Sequence, residues 1–269
     1  MSFKPVNFDR LARFNSDASS KLLNICENSW KNEIDKNRER IPHKTFAPSS
    51  MRCKRRSWFR LRGVSPDKID DPDTGLDFSA RIGTDCHIFL QTLLKRYLKG
   101  DWIQVYDYIL NNKNKLLYSS EDYGVVQKAG DLEAQVSLVN PPVNFACDGV
   151  IRINSTIYLL EIKTCEFSVW DDLTEPREEH IEQIKAYGSI LGIHNILMIY
   201  QDRQYGRIKC YELTLKSSDI DDIKQYFDSV MISVKNNIAP EGLPVGNKWC
   251  TPSMCPYYKK CQEYGRKKI

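Results

Sequence analysis

The sequence has no uninterrupted apolar run of the roughly 18 to 20 residues that a bilayer-spanning helix needs, and Met1 to Arg10 lack the apolar core of a secretory signal. A cytoplasmic location is therefore the expectation. No internal repeat and no low-complexity tract is visible, which excludes solenoid and array architectures. No Gly-x-x-x-x-Gly-Lys-Ser/Thr run occurs, so the nucleotide-driven motor class has no phosphate loop here. Charge of one sign is not in excess either: 39 basic against 35 acidic residues leave a net +4, too little to define a partner.

What is present is an ordinary core-forming composition, 41% hydrophobic and 28% charged over 269 residues, enough to bury a sizeable core. We expect one domain over 1–269, with a helical, basic N-terminal region (1–78), a core (79–238) and a cysteine-rich tail (239–269). Apolar spacing predicts helices over Ser16–Lys36, Ser79–Leu98, Trp102–Leu117, Pro176–Leu191 and Asp219–Asn237. Short β-type runs fall at Leu132–Val139, Phe145–Ile153, Thr156–Lys163, Ile196–Tyr200 and Arg207–Leu215. This order fits an α/β fold in which a mixed central β-sheet is flanked by helices. The stretch Ser65–Asp77, which includes Asp71-Pro72-Asp73, reads as a turn-rich connector rather than a site.

The most informative local feature is a hairpin turned at Asn154-Ser155. A two-residue turn pairs Ile153 with Thr156, and stepping outward sets Asp148 across from Glu161, their Cβ atoms about 4.5 to 5.5 Å apart. Like charges placed opposite each other are destabilising unless a cation lies between them. Lys163 leaves the strand on the same face as Glu161. Two carboxylates and a lysine around Mg²⁺ or Mn²⁺ are the groups that phosphodiester hydrolysis needs. The basic segment Arg52, Lys54, Arg55, Arg56, Arg60 and Arg62, interleaved with Trp58 and Phe59, suits phosphate contacts and base stacking. It is equally consistent with a solvated helix face carrying core aromatics.

On these residues the sequence resembles the RecB-like branch of the PD-(D/E)xK nucleases, which includes CRISPR-associated and phage exonucleases, and the resemblance spans nearly the whole chain. It is carried by His87 within Gly83-Thr84-Asp85-Cys86-His87, by Asp148, by Glu161-Ile162-Lys163, and by Gln183 and Tyr187 within Glu182-Gln183-Ile184-Lys185-Ala186-Tyr187. Cys147 stands where that family has a proline before the Asp. The resemblance implies a restriction-endonuclease-like core in which His87, Asp148, Glu161 and the Ile162 carbonyl bind the divalent ion. Lys163 and Gln183 would position or activate water, and Tyr187 would contact DNA or support the site. It also implies a metal-dependent deoxyribonuclease, an exonuclease more than an endonuclease, acting in DNA recombination, repair or processing. A non-cleaving DNA-binding or assembly module that delivers ends to a partner such as an integrase is the alternative. DNA is the expected partner, with a homo-oligomer or a recombination protein as further ones.

Nine cysteines are many for an intracellular chain, where clustered thiols more often hold metal than form disulfides. Cys250, Cys255 and Cys261 crowd a tail with little apolar content of its own. Three thiolates need a fourth, and Cys53 resembles the distant first cysteine of the RecB-like nucleases that carry a four-iron four-sulfur (4Fe-4S) cluster. That cluster would staple the helical N- and C-terminal regions together. Structural Zn²⁺ on the same four thiolates is the alternative.

Overall fold

In the computed structural model, residues 20–26, 28–29, 44–67, 74–127, 132–244 and 246–264 are described. Two sheets organise them. The first is antiparallel and three-stranded, β2 (Tyr123–Gln127), β3 (Ala134–Leu138) and β4 (Val143–Cys147) in that order. The second has five strands in the order β1 (Trp102–Ile103), β5 (Gly149–Ile153), β6 (Thr156–Cys165), β7 (Asn195–Asp202) and β8 (Ile208–Thr214). Only β6 and β7 run parallel in it, and a parallel pair requires a crossover. The helices α1 (Lys54–Leu61), α2 (Thr74–Leu98) and α3 (Val105–Asn111) precede that connection in the chain. α4 (Phe167–Asp171) and α5 (Glu178–Leu191) make the crossover, and α6 (Ser217–Lys235) and α7 (Tyr258–Glu263) close the order.

Helices flank the mixed sheet because its two faces alternate along each strand. Leu160 and Ile162 of β6 pack with Ile151, Ile199 and Leu90 of α2 on one side. Leu159 of β6 joins Ile184 and Ile190 of α5 and Phe227 and Val230 of α6 on the other. This larger cluster also takes in Phe46, Trp58 and Phe59 near the N-terminal side and Cys255, Tyr257 and Cys261 of the tail. No helix of the described residues is long and apolar enough to cross a membrane.

The anticipated strand Phe145–Ile153 is two strands in different sheets, β4 and β5, with the chain leaving one ladder and entering the other at Asp148. Apolar residues on both sides of Asp148 hide such a switch, since β4 and the start of β5 are both largely buried. The anticipated helix Trp102–Leu117 begins instead as β1, because Trp102 and Ile103 pair with Ile151 and Val150, and α3 stops at Asn111. β2 was not anticipated. Helix α2 starts at Thr74 and so takes up part of the expected connector, whose Asp71, Pro72 and Asp73 lie outside the described residues. Of the expected helix Ser16–Lys36, the described residues 20–26 and 28–29 are helical.

Helix α5 ends at Gly192, whose φ of 63° is left-handed, the conformation glycine adopts without a Cβ penalty. A Cβ there would also meet the Lys115 carbonyl oxygen at 2.0 Å. Gly206 has a similar φ of 70° but nothing nearer than 3.9 Å. We predict that Gly192→Ala costs about 2 to 4 kcal/mol, strain plus collision, whereas Gly206→Ala costs about 1 kcal/mol, strain alone. Denaturant melts of the two variants measure this, and equal losses would show that the Lys115 contact is soft.

Candidate metal and active site

The β5–β6 hairpin forms as anticipated. Asn154 and Ser155 have φ of 48° and 69°, the left-handed pair that a two-residue turn requires, and Ile153 pairs with Thr156 through to Gly149 with Leu160. The ladder then stops one residue short of Asp148 and Glu161. Asp148 replaces the missing rung with its side chain, its Oδ2 accepting the Ile162 N–H at 2.7 Å. In a strand the N–H and C=O of one residue face the same edge, so the Ile162 carbonyl faces this edge too.

Helix α2 fixes Asp148 from the other side. His87 Nε2 lies 3.0 Å from Asp148 Oδ2. One turn along, Gln91, fully buried, donates from Nε2 to the Asp148 carbonyl at 2.9 Å. Gln91 escaped the sequence reading, although its spacing from His87 put it on the same helix face.

Glu161 is 2% exposed. Its Oε1 pairs with Lys163 Nζ at 2.6 Å and accepts from Gln183 Nε2 at 2.9 Å. Lys163 also donates to Gln183 Oε1 at 3.2 Å, and Gln183 Nε2 donates to the Tyr187 hydroxyl at 2.8 Å. The structure thus brings together His87, Asp148, Glu161, Lys163, Gln183 and Tyr187. Tyr187 is buried and stacked on Phe145, ring centroids 4.4 Å apart. Of the two roles expected of it, contact with DNA or support of the site, this buried position beside Gln183 fits the second.

A third carboxylate was missed. Glu133 Oε1 lies 3.6 Å from His87 Nδ1, and ligand atoms of His87, Glu133 and Asp148 fall within 4.8 Å of one another. Its signal lay in a second hairpin. Ala134 pairs with Cys147 across β3 and β4, so one step outward Glu133 faces Asp148, just as one step outward from Leu160 places Glu161 beside it.

Two of these carboxylates, Glu161 and Asp148, act on one ammonium, that of Lys163. Burial, with the Asp148 charge second, pushes the Glu161 carboxyl from 4.5 up to about 7 against the opposing pull of Lys163 and His87. Burial alone would lower Lys163 and His87, but the neighbouring carboxylates outweigh it and both lie above their ordinary values. Glu161 Oε2 and Gln91 Oε1 are buried without a hydrogen-bond partner among the described residues. An uncompensated buried oxygen beside surplus negative charge is the place where a hard divalent cation fits.

The basic segment is only partly free for a ligand. Trp58 is 1% exposed and donates from its indole to the Ser233 carbonyl at 3.2 Å, so it cannot stack on a base, and that expectation is corrected. Arg55 is buried, donating to the Pro240 carbonyl at 2.8 Å and toward Cys261 Sγ at 3.7 Å. Arg60 donates to the Thr45 carbonyl at 2.7 Å, and Arg62 covers the Trp58 ring at 4.7 Å. Core packing has claimed Trp58, Arg55 and Arg60, while Arg62 stays exposed. Arg52 and Arg56 line a cavity of about 120 Å³ instead, and Lys54 Nζ lies 5.8 Å from the Tyr226 ring.

That cavity is also where cysteines meet: Cys53, Cys250 and Cys255 share its wall with Trp249 and Met254. Cys261 is not in the wall; its Sγ is turned to Arg55. The structure thus gathers three of the four expected ligands, from both ends of the described chain, around one space.

No protein-family model matches the chain, and no curated protein does. Solved structures that align with the chain include one described as the crystal structure of SSO0001, at a TM-score of 0.45 and 18% identity, covering 88% of this chain and 96% of that one. Another is an alkaline exonuclease, LHK-Exo, from Laribacter hongkongensis, at a TM-score of 0.40 and 11% identity over 72% of this chain and 89% of that one. The same exonuclease in complex with dAMP aligns at 0.40 and 11%, over 73% and 90%. Likenesses this distant leave the chemistry to be argued from the side chains.

The charge surplus makes a prediction. A carboxyl whose folded value lies above its ordinary one stabilises the fold at low pH and loses that contribution as pH rises through the window, here from 4.5 to about 7. Glu161→Gln should therefore raise the melting temperature of chelator-treated protein at about pH 8, with the gain shrinking toward about pH 5. Divalent metal should stabilise the wild type more than the variant. A variant that melts lower than wild type at both pH values would mean that Glu161 is not under electrostatic stress.

Proposed function

We propose that this chain is a Mg²⁺- or Mn²⁺-dependent deoxyribonuclease with a PD-(D/E)xK core, acting on DNA ends as an exonuclease. The observation that carries the reading is the state of Glu161: one oxygen held by Lys163 and Gln183, the other buried and partnerless, beside Asp148. A surface charge pair would not be built this way. The ion would be held by Asp148, Glu161, the Ile162 carbonyl and His87, with Glu133 close enough to join them. When bound it supplies a Lewis acid for the phosphoryl oxygen and an acidified water.

The chain's own residues do the rest. Lys163, kept protonated by the carboxylates around it, places its ammonium where charge develops on the phosphate. Gln183 holds Glu161 and Lys163 at once and so fixes their spacing. His87 and Gln91 hold Asp148 against strand motion. The reading carries with it DNA as the partner, a cytoplasmic location, a role in recombination, repair or processing, and a single domain over 1–269.

The test is digestion of end-labelled linear and closed circular DNA with and without Mn²⁺. We expect linear DNA to shorten from its ends and the circle to survive. Lys163→Ala and Glu161→Ala should each lose about 10²- to 10⁴-fold in rate while keeping the fold. Cleavage at near wild-type rate by either would sink the assignment, and binding of ends without any cleavage would favour an assembly module.

A 4Fe-4S cluster on Cys53, Cys250, Cys255 and Cys261 is the second half of the reading, supported by the thiol-lined cavity. Protein purified without oxygen should be brown and contain iron and acid-labile sulfide. Colourless protein with stoichiometric zinc would support the Zn²⁺ alternative. Cys53→Ala should discharge the metal as fully as Cys255→Ala; if the metal stays, Cys53 is not a ligand.

A further inference from the structure

A rigid turn beyond the carboxylate centre carries chemistry that the nuclease reading does not use. Strand β7 ends at Asp202, which is 1% exposed. Its Oδ1 accepts the backbone N–H groups of Gln204 at 2.9 Å and Tyr205 at 2.6 Å, and its Oδ2 accepts that of Arg207 at 2.7 Å. Three charge-assisted bonds from one buried carboxylate hold the turn in a single shape. Arg203 then ties the turn to the rest of the site: its backbone N–H donates to the Cys165 carbonyl at 2.9 Å, and its Nη1 donates to the Ser79 carbonyl of α2 at 2.8 Å.

What this turn presents is an aromatic ring and a cation. Tyr205 is 58% exposed and meets Phe167 edge-on with centroids 5.1 Å apart. The Arg207 guanidinium lies 5.0 Å from the Phe167 ring centroid and 5.2 Å from that of Tyr205. Among the described residues it has no carboxylate partner. A ring that served only to cap the sheet end would fold inward, as the neighbouring Trp170 does, whose indole donates to the Tyr200 carbonyl at 3.1 Å. Here a buried carboxylate holds the ring out, beside an unneutralised cation.

That combination matches a polyanion with free base faces, because rings and guanidinium planes stack on bases while the charge meets the backbone. Duplex bases have no free faces, so the ligand is single-stranded. Phe167 is four residues beyond Lys163, at most about 13 Å along an extended chain, which about four nucleotides of one stacked strand cover. We propose that Tyr205 and Arg207 form a stacking platform for a single-stranded stretch of the DNA substrate, a few nucleotides from the phosphate at Lys163. Only the word substrate rests on the nuclease reading; the platform itself stands on the turn.

The test uses the full chain carrying Lys163→Ala, in which cleavage is slowed about 10²- to 10⁴-fold, and fluorescence anisotropy with a labelled single-stranded oligonucleotide and with its blunt duplex. Adding Tyr205→Ala or Arg207→Ala should weaken single-strand binding about 5- to 100-fold and leave duplex binding within about twofold. Tyr205→Phe should retain it, since the face and not the hydroxyl stacks. In the otherwise wild-type chain, Tyr205→Ala should raise KM for DNA with a single-stranded overhang and leave kcat unchanged. Unchanged single-strand affinity, or equal loss on both ligands, would overturn the platform. The two readings fail separately: a chain that never cleaves but binds single strands through Tyr205 keeps the platform and loses the nuclease, and a cleaving chain indifferent to Tyr205→Ala does the reverse.

Discussion

The site depends on one interaction, the hydrogen bond from the Ile162 N–H to the Asp148 carboxylate. Asp148 stands between two sheets, at the end of β4 and the start of β5, where no ladder partner reaches it. By taking the place of a rung, its side chain joins the hairpin that continues to Glu161 to the one that ends at Glu133. Both hairpins run their registers out at this residue, and each brings one acid to it. Convergence of registers, rather than any local motif, gathers the three carboxylates.

That convergence would be untenable as a purely structural arrangement. Paired like charges in a buried setting raise one another's energy, and a single ammonium, Lys163, is shared between Glu161 and the wider acidic field. The fold tolerates the stress because its surroundings are over-determined: Gln91 holds the Asp148 backbone, Gln183 bridges Glu161 and Lys163, and Tyr187 braces Gln183 from a stacked, buried position. Strain of this kind concentrated at one point, with firm packing around it, is the usual signature of a site kept for function.

Much of this was legible in the sequence because turn chemistry is local. Asn154-Ser155 announces its own turn, and the register and the meeting of Asp148 with Glu161-x-Lys163 follow by counting. The four-residue spacing of Gln183 and Tyr187 likewise needed only a helix. Glu133 was harder to read, since its place depends on the β3–β4 hairpin, whose turn between Leu138 and Val143 has no such dipeptide signature. The basic segment misled for a different reason. Composition shows charge but not partners, and Arg55, Arg60 and Trp58 turn out to donate to backbone carbonyls or to pack inward. Their long stems and rings serve the core.

The thiol-lined cavity and the carboxylate centre, distant in sequence, are joined through Arg52. Its guanidinium lies over Trp249 in the cavity wall at 3.8 Å and donates to Glu182 at 2.8 Å, and Glu182 adjoins Gln183 on α5. The Glu182 end of this link is about half exposed, and such pairs contribute at most about 1 kcal/mol. A coupling that small cannot switch the carboxylates on or off. On the proposed reading, a cluster in the cavity would therefore influence catalysis mainly through the stability of the whole fold, by holding Cys53 against a tail that follows α6 and closing most of the chain into one loop. DNA binding, on the same reading, would be coupled more directly, because Arg52 and Arg56 line the cavity and are among the cations of the basic segment that the core has not claimed. Loss of such a cluster would loosen those two side chains and lower the melting point while leaving Asp148, Glu161 and Lys163 in register.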